Sequence, residues 1–343
     1  MTSVNTMLID PPMLNSSCLW ASDIEQLRDL YACSHTGAVT TRTATLHGFK
    51  ENESNAVVFT ADRLSTLNSY GYSPYPLSQY LDWVRELLNT PETHAKPIIL
   101  SITASKAEDL AQMVRDIQNL RADLRSKSSA ISTYDLANYV AIELNTSCPN
   151  IPSAPPPSYY LPALRPHLDV LVAATRADPS LTIGLKLPPY PDVTRIRDVV
   201  YCLAEYTIDE PDAEGARSPF AFLTCTNTLG GSVVFAGEID LSSAPPSLGS
   251  DPAPTAFALP TALGGLGGER LHALALGTVL GFSRALAAHP SPAVRAIKVI
   301  GVGGVKDRAS ADRMRAAGAC AVACATGLGR EGVKVFEKIA LGE

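Results

Sequence analysis

The chain has 343 residues, of which 46% are hydrophobic and 18% are charged, and its formal net charge is −6. This composition predicts a soluble globular protein with enough apolar material for one large domain or two ordinary ones. An acidic chain without a basic cluster argues against nucleic acid or an anionic membrane as partner, and no apolar run approaches the roughly 20 residues that span a bilayer.

The N-terminus and the cysteines bear on location and cofactor class. No positively charged segment followed by an apolar run opens the chain, so we expect no secretory signal. The seven cysteines are an odd number and include no CxxC pair. This argues against a disulfide framework and against zinc or iron–sulfur spacing. We therefore expect free thiols in a reducing compartment, with the cytosol as the default, and no metal.

Short apolar runs alternate with helical patterns along the chain. Seven mainly apolar runs predict buried strands, because their polarity is continuous rather than alternating, as in parallel strands covered by helices: residues 37–43, 96–102, 140–145, 182–187, 220–227, 297–304 and 320–327. Two capping boxes are predicted at helix starts, Ser22 with Glu25 and Ser105 with Glu108, the second helix ending near residue 125. Residues 309–318 predict a short Ala-rich helix that ends at a glycine.

Seven or eight strand–helix repeats predict an α/β protein with a closed (β/α)8 barrel, a TIM barrel, as a single domain over residues 1–343. A doubly wound open sheet is the alternative, but no GxGxxG follows the first predicted strand. Residues 210–218 and 241–260, rich in Pro, Ser, Ala and Asp, are predicted surface insertions. The proline-rich residues 153–158 are either a semi-rigid lid or a plain connector.

Barrel active sites lie at the carboxyl ends of the strands, where this sequence places polar side chains and glycines. The candidates, collected strand by strand, are Arg42, Thr43, Asn145, Ser147, Cys148, Asn150, Lys186, Asn227, Thr228, Gly303, Gly304, Ala325 and Thr326. Asn68 and Ser69 lie in a predicted loop that could cap the same face.

Glycines favour a cofactor that carries phosphate. VGGV (302–305) and ATG (325–327) each end a predicted strand and precede a helix. Backbone N–H groups and the helix dipole bind phosphate at such places without a basic side chain. LGGLGG (263–268) precedes another helix and could add a further amide. Any one of these glycines alone is as consistent with a tight turn.

Lys186 stands among apolar residues in IGLKLPPY, and a buried lysine needs an anionic or polar partner. A flavin ring would supply one, because a cation beside its N1–O2 edge stabilises the anionic reduced form. An ion pair with a carboxylate on a neighbouring strand is the alternative.

Cys148 lies in ELNTSCPNIP (143–152), between Asn145 and Asn150. A thiol with an ordinary pKa of about 8.5 suits a base that removes a proton from carbon. The asparagines suit a neutral, planar ligand that carries amides. A nucleophilic Cys–His hydrolase is less favoured, because none of the six histidines lies in a polar strand-end cluster. A structural buried thiol is the remaining alternative.

Together these motifs resemble class 1 dihydroorotate dehydrogenases, which are flavoenzymes on a (β/α)8 barrel. The resemblance rests on ELNTSCPNIP and on further blocks in the same order: GAVTTRTATL, LNSYGY, IGLKLPPYPD, TCTNTLGG, LGGLGG, VIGVGGV and ATGLGREGVKVFEKI. The continuation after SCPN is more similar to subtype A, a cytosolic homodimer, than to subtype B, which needs an iron–sulfur partner subunit.

The resemblance implies FMN across the barrel mouth and oxidation of dihydroorotate to orotate in de novo pyrimidine biosynthesis. Cys148 would take the C5 proton while hydride passes from C6 to flavin N5, and fumarate would accept the electrons in the same site. The implied cofactor contacts are Ser16, Ser17, Arg42, Thr43, Asn145, Lys186, Gly268, Gly303, Gly304, Ala325 and Thr326. The implied substrate contacts are Arg42, Asn68, Tyr70, Gly71, Tyr72, Asn145, Asn150, Asn227 and Thr228.

The sequence also departs from the family pattern. Arg42 stands where the family has lysine, which keeps the charge but brings a larger planar fork. Thr228 replaces a serine, Ala325 replaces a phosphate-loop glycine, and SYGYSPY and HGFKENESNAVV replace family blocks near the substrate. Two alternatives therefore stay open: a diverged FMN oxidoreductase acting on another cyclic amide or enoate, and a catalytically inactive barrel that serves as a binding protein.

Overall fold

The computed structural model describes residues 1–89, 95–131, 135–148, 150, 157–210 and 215–342. Within them one sheet of eight parallel strands forms the centre of the fold. The strands are β1 (Met13–Asn15), β2 (Val39–Thr40), β3 (Ile98–Ile102), β4 (Val140–Asn145), β5 (Thr182–Leu187), β6 (Phe222–Cys225), β7 (Lys298–Val302) and β8 (Ala321–Cys324). Their order is β1-β8-β7-β6-β5-β4-β3-β2, and a parallel bridge between Leu14 and Ala38 brings the two edges together. The predicted barrel is confirmed.

Helices surround the barrel. They are α1 (Ile24–Ala32), α2 (Leu77–Asn89), α3 (Ala107–Ile131), α4 (Leu161–Ala177), α5 (Val193–Ala204), α6 (His272–Ala287), α7 (Pro292–Arg295), α8 (Arg308–Ala316), α9 (Thr326–Glu331) and α10 (Lys334–Leu341). Strands that are covered on both faces need apolar residues throughout, and Ile98, Ile142 and Ile183 are fully buried. In the described parts of the chain, no helix has the length and apolarity needed to cross a bilayer.

A four-stranded antiparallel sheet, here called the capping sheet, adds to the barrel. Its strands, in sheet order, are Leu229–Ser232, Gly264–Gly268, Ser65–Asn68 and Val57–Phe59. Residues 241–260 lie in the connection between the first two of these strands and include short 3₁₀ turns. A small apolar cluster that includes Val58, Leu67 and Ile239 stabilises this layer.

Several predicted boundaries differ from the observed ones. The apolar run 37–43 gives only two residues of regular strand in β2, because its pairing with β3 shifts by one residue further along. Thr41 N still bonds in register to Ile99 O at 3.0 Å, but Ala44 N bonds to Ser101 O at 2.9 Å. Strand β1 was not predicted, since three residues after two prolines are too few to form a pattern. Residues 151–156, most of the predicted lid, lie outside the described residues, as do 211–214. The single domain and its insertions stay predictions.

The helix caps are partly as predicted. The predicted N-cap of α1, Ser22 in a capping box with Glu25, is wrong by one residue. The observed N-cap is Asp23, whose side chain accepts a hydrogen bond from Gln26 N at 2.9 Å. A carboxylate at this place also complements the helix dipole, which a serine does not. The predicted glycine end of α8 is confirmed, with Gly318 at φ +106.

Arg121, on α3, is buried and ties this helix to the barrel. Helix α3 continues to Ile131, past the predicted end near residue 125. The Arg121 guanidinium donates to the carbonyls of Ala137 and Val140 and lies 3.2 Å from the Asp178 carboxylate. The Arg121→Met variant keeps the aliphatic bulk but leaves these acceptors without a donor.

We therefore expect Arg121→Met to lower the free energy of unfolding by about 3 kcal/mol, the scale of a broken buried ion pair. Arg115→Met, at an exposed position of the same helix, should stay within about 0.5 kcal/mol of the wild type. Urea denaturation of both variants measures the difference. Equal stabilities for the two would contradict the anchoring role of Arg121.

Candidate active site

A cleft of about 1000 Å³ opens at the carboxyl ends of the barrel strands, and strands of the capping sheet line its other side. Every residue that the sequence analysis named as a cofactor or substrate contact lines this cleft. They are Ser16, Ser17, Arg42, Thr43, Asn68, Tyr70, Gly71, Tyr72, Asn145, Cys148, Asn150, Lys186, Asn227, Thr228, Gly268, Gly303, Gly304, Ala325 and Thr326. Ser69 and Ser147 do not line it, because their hydroxyls are bonded to Ser54 O and Lys186 O.

Lys186, on β5, is buried, and within the part of the chain that the structure describes its ammonium has neutral partners. Nζ donates to Ser16 Oγ and to Ser17 O, both at 3.1 Å. The expected alternative, an ion pair with a neighbouring carboxylate, is not found among the described residues. Glu143, on the adjacent strand β4, instead accepts from the Thr224 hydroxyl at 2.6 Å. A buried ammonium that lacks a counter-ion favours an anionic ligand in the cleft.

Two asparagines at the carboxyl ends of β4 and β6, the strands on either side of β5, form one network. Asn145 donates from Nδ2 to Thr43 Oγ1 at 2.9 Å, and its Oδ1 accepts from Asn227 Nδ2 at 3.2 Å. Asn227 Nδ2 also donates to Ser147 Oγ at 3.1 Å. These bonds fix both amide planes before any ligand binds. A preorganised pair of amides suits a ligand whose own amides lie in one plane.

A second pair of asparagines joins the barrel to the capping sheet. Asn150 donates from Nδ2 to Asn68 Oδ1 at 2.7 Å and to Tyr70 O at 2.9 Å. Asn68, which ends a strand of the capping sheet rather than lying in the predicted loop, donates to Gly265 O at 3.0 Å. Asn150 Oδ1 has no partner among the described residues, so it remains available as an acceptor.

Cys148 follows the end of β4 and is half-buried in the cleft. Burial raises the pKa of its thiol, and the Asn150 N–H and the charges of Lys186 and Arg42 offset this only in part. The thiol is therefore mainly protonated at neutral pH, and its basic form becomes more populated as the pH rises.

One histidine does lie at a strand end, contrary to the sequence expectation. His272 Nδ1 is 2.7 Å from Gly303 O, just beyond β7, and Arg313 Nε is 3.1 Å from its Nε2. His272 belongs to α6, so its position depends on packing that no local pattern reveals. Because both ring nitrogens are occupied by these partners, His272 does not activate Cys148.

Arg42 carries a counter-ion from the protein itself. The residue is 3% exposed, and its Nη2 lies 2.5 Å from Glu51 Oε1. Its guanidinium stacks over the Tyr70 ring at 5.3 Å. Arg42 Nε is buried without a partner among the described residues. The guanidinium that lines the cleft is therefore neutralised by Glu51, and its Nε–H donor is unused among the described residues.

The aromatic residues beside Arg42 are neutral phenols. Burial raises the pKa of both Tyr70 and Tyr72, so neither ionises near neutral pH. The Tyr72 ring packs edge-on against Phe49 with centroids 5.9 Å apart. A Cβ on Gly71 would lie 2.6 Å from the Phe49 ring, which explains the glycine between the two tyrosines.

The glycine turns contribute backbone amides to the cleft instead of charged or aromatic side chains. Gly303 and Gly304 have φ values of +125 and +69, which favour glycine. The LGGLGG run is itself a strand of the capping sheet, and it reaches the cleft through Gly268. Thr326, the first residue of α9, bonds through its hydroxyl to Thr66 Oγ1 at 3.1 Å. Such exposed N–H groups suit a phosphate.

The conformation of Gly303 predicts a cost for any side chain. A Cβ there would lie 2.6 Å from Ala275 Cβ. We expect Gly303→Ala to lower the free energy of unfolding by about 1–3 kcal/mol. Gly277→Ala, at an exposed position of α6 with no atom near the new methyl group, should raise it by about 0.5–1 kcal/mol. Thermal unfolding of the two apoproteins measures both, and shifts of the same sign would contradict this account.

The cleft also contains residues that the sequence analysis did not name as cofactor or substrate contacts, although Gly267, Val302, Val305 and Gly327 belong to the glycine motifs discussed there. They are Cys18, Trp20, Leu64, Thr66, Thr226, Gly267, Leu271, Val302, Val305, Lys306, Ala323, Cys324, Gly327 and Arg330. Most are apolar or small and give no local signal. Lys306 and Arg330 did have a signal in the sequence, because each cation follows a predicted glycine turn within a few residues. In the structure they pair with Glu269 and Glu331.

Comparison with known proteins agrees with this geometry. The dihydroorotate dehydrogenase family model matches residues 2–211 and 249–342. The chain is 28% identical over 331 residues to dihydroorotate dehydrogenase (fumarate) of Saccharomyces paradoxus, covering 96% of this chain and 87% of that protein. It is 27% identical over 334 residues to dihydroorotate dehydrogenase A (fumarate) of Lactococcus lactis subsp. lactis, covering 96% and 88%. The chain therefore belongs to the dihydroorotate dehydrogenase family, whose members are oxidoreductases on this barrel.

Proposed function

We propose that this protein is an FMN-dependent dihydroorotate dehydrogenase that oxidises (S)-dihydroorotate to orotate and passes the electrons to fumarate. The observation that carries the proposal is the presence in one cleft of Cys148 and of Lys186, a buried cation whose partners among the described residues are all neutral. The two relatives named above are fumarate-type dihydroorotate dehydrogenases, which supports fumarate as the electron acceptor. The cytosolic location and the homodimer of subtype A stay predictions.

The chemistry of the cleft fits FMN. Lys186 offers a buried positive charge for the ring, and Ser16 and Ser17 hold its ammonium in place. The N–H groups at Gly304 and Thr326 offer donors for a phosphate. When bound, FMN would supply the hydride acceptor that the protein's own side chains lack.

Cys148 would act as the base. Forming the C5=C6 double bond of orotate requires loss of a proton from C5 and of a hydride from C6. The thiolate of Cys148 takes the C5 proton and returns it to solvent after the product leaves. The positive charges of Lys186 and Arg42 favour the thiolate, although burial raises the pKa of the Cys148 thiol overall.

The asparagines would hold the pyrimidine ring. The Asn145–Asn227 pair presents fixed amide groups to the cleft. The Asn150–Asn68 pair adds an acceptor, Asn150 Oδ1, that is free among the described residues. A dihydropyrimidine carries two ring N–H donors and two carbonyl acceptors in one plane, which these amides complement. Positioning of this kind holds C5 within reach of Cys148.

A second candidate, a flavoenzyme that oxidises or reduces another cyclic amide or an enoate, is favoured by one observation. Arg42, which would bind the substrate carboxylate, already pairs with Glu51 at 2.5 Å. A second carboxylate would have to displace Glu51 or share the guanidinium with it. A substrate without a carboxylate would require neither.

The two candidates predict different ratios of kcat/KM for dihydroorotate and for an analogue without the carboxylate. The test is to follow orotate formation from dihydroorotate with fumarate as acceptor, and in parallel oxidation of the uncharged analogue dihydrouracil. The proposed function predicts at least about 10²-fold preference for dihydroorotate, because only dihydroorotate has a carboxylate that can bind Arg42. A preference for the uncharged amide would establish the second candidate.

A further inference from the structure

A histidine and an arginine behind the cleft hold the peptide between Gly303 and Gly304. His272, the first residue of α6, is 9% exposed and does not line the cleft. Its Nδ1 lies 2.7 Å from Gly303 O, and Nε of Arg313, on α8, lies 3.1 Å from its Nε2. The three groups form a chain that leads from α8 to the glycine turn.

These contacts determine the tautomer of His272. A guanidinium N–H can only donate a hydrogen bond, so Nε2 of His272 must be the acceptor. The ring proton is then on Nδ1, which donates to the carbonyl of Gly303. Neither the other tautomer nor the doubly protonated ring satisfies both contacts. Arg313 thereby makes the donor at Nδ1 the stable form.

The held carbonyl sets the direction of the next N–H. The peptide between Gly303 and Gly304 is trans, so its C=O and N–H point in opposite directions. Because Gly303 O faces His272, the N–H of Gly304 points away from α6, and both glycines line the cleft. That N–H donates to no protein group within the described residues.

We propose that His272, oriented by Arg313, is a positioning residue that directs the Gly304 N–H at the phosphate of the bound flavin nucleotide. The inference rests on the proposed FMN cofactor. Two consecutive glycines resist rotation of the peptide plane between them very weakly. A rotated plane would present the Gly303 carbonyl oxygen to the phosphate and repel it. The hydrogen bond from His272 opposes this rotation.

The test compares binding of FMN with binding of riboflavin, so that the contribution of the phosphate is measured separately from that of the rest of the molecule. Apoprotein is titrated with FMN and with riboflavin, which lacks the phosphate, and binding is followed by flavin fluorescence. We expect His272→Leu to weaken FMN binding roughly tenfold or more, the effect of one misdirected hydrogen bond to a charged group. Riboflavin binding should change by less than about twofold, because riboflavin makes no contact at the turn.

Rescue distinguishes positioning from packing. In His272→Asn the side-chain Nδ2 takes the place of the ring Nδ1, so FMN affinity should return to within about threefold of the wild type. Arg313→Leu should weaken FMN binding selectively, but less than His272→Leu does. Without Arg313 the ring proton of His272 is no longer fixed on Nδ1, but the imidazole that can donate to Gly303 O is still present. Arg315→Gln, on the same helix, is the matched control: among the described residues Arg315 pairs with Asp312, and the change should alter neither affinity.

Equal weakening of FMN and riboflavin in His272→Leu would overturn the inference, as would unchanged FMN binding. If His272→Leu does not fold, Arg313→Leu decides: selective weakening of FMN supports the inference, and equal weakening of both flavins or unchanged FMN binding overturns it. Wild-type protein that binds neither flavin is a different result, because it removes the proposed cofactor and the inference with it.

Discussion

Replacing Cys148 by serine is expected to slow reduction of the bound flavin by dihydroorotate about 10²- to 10⁴-fold at pH 7, the range that a general base supplies. The serine hydroxyl fills nearly the same volume, but it is a far poorer base at that pH. Stopped-flow measurement of flavin bleaching without oxygen gives the rate directly. Cys33→Ser, which changes a cysteine outside the cleft, is the control and should retain the wild-type rate.

The pH profile adds a second, independent sign of the same base. Burial raises the pKa of the Cys148 thiol, and only the thiolate accepts the proton. The wild-type rate of flavin reduction should therefore increase from neutral to alkaline pH and level off above the raised pKa. In Cys148→Ser the rate should keep increasing without a plateau. A serine variant within about threefold of the wild type at pH 7, or a wild-type rate that falls as pH rises, would contradict the role of Cys148.

Replacing Lys186 by methionine is expected to act in opposite directions on cofactor binding and on apoprotein stability. Loss of a charge-assisted contact to the flavin should weaken FMN binding by about 1.5–3 kcal/mol, or roughly 10- to 150-fold. The apoprotein should become more stable, because a buried ammonium without a counter-ion is replaced by an apolar chain of similar length. Fluorescence titration and urea denaturation measure the two effects.

Lys298→Met is the matched control, since Lys298 is an exposed lysine on the barrel strand β7. It should leave FMN affinity unchanged and stability within about 0.5 kcal/mol. A Lys186→Met variant that binds FMN as tightly as the wild type would exclude Lys186 from the flavin site.

The barrel could be predicted from the sequence because its strands are buried on both faces. The run of residues 182–187 is mainly apolar, with Lys186 as its one charged residue, and it agrees with β5 at both ends. The capping sheet could not be predicted in the same way. Its strands Leu229–Ser232 and Gly264–Gly268 are rich in glycine, which has a low strand propensity, and their pairing is set by residues distant in the chain.

The residues that line the cleft could be predicted because chemistry and topology coincide at strand ends. Asn145, Cys148 and Lys186 follow or end apolar runs, whereas Ser16, Ser17 and Tyr70 were expected only from the family resemblance. The partners that tune these residues could not be predicted. Glu51 reaches Arg42 from a loop, and His272 reaches Gly303 from a helix. Such contacts depend on how elements pack, which no short motif encodes.

The visible spectrum of the purified protein, recorded before and after dihydroorotate is added without oxygen, tests the central claim most directly. The account predicts a yellow protein that dihydroorotate bleaches and that regains its colour when fumarate is added. A yellow protein that dihydroorotate leaves unbleached would contradict the assignment of the substrate, and a colourless protein that takes up no FMN would contradict the assignment of the cofactor.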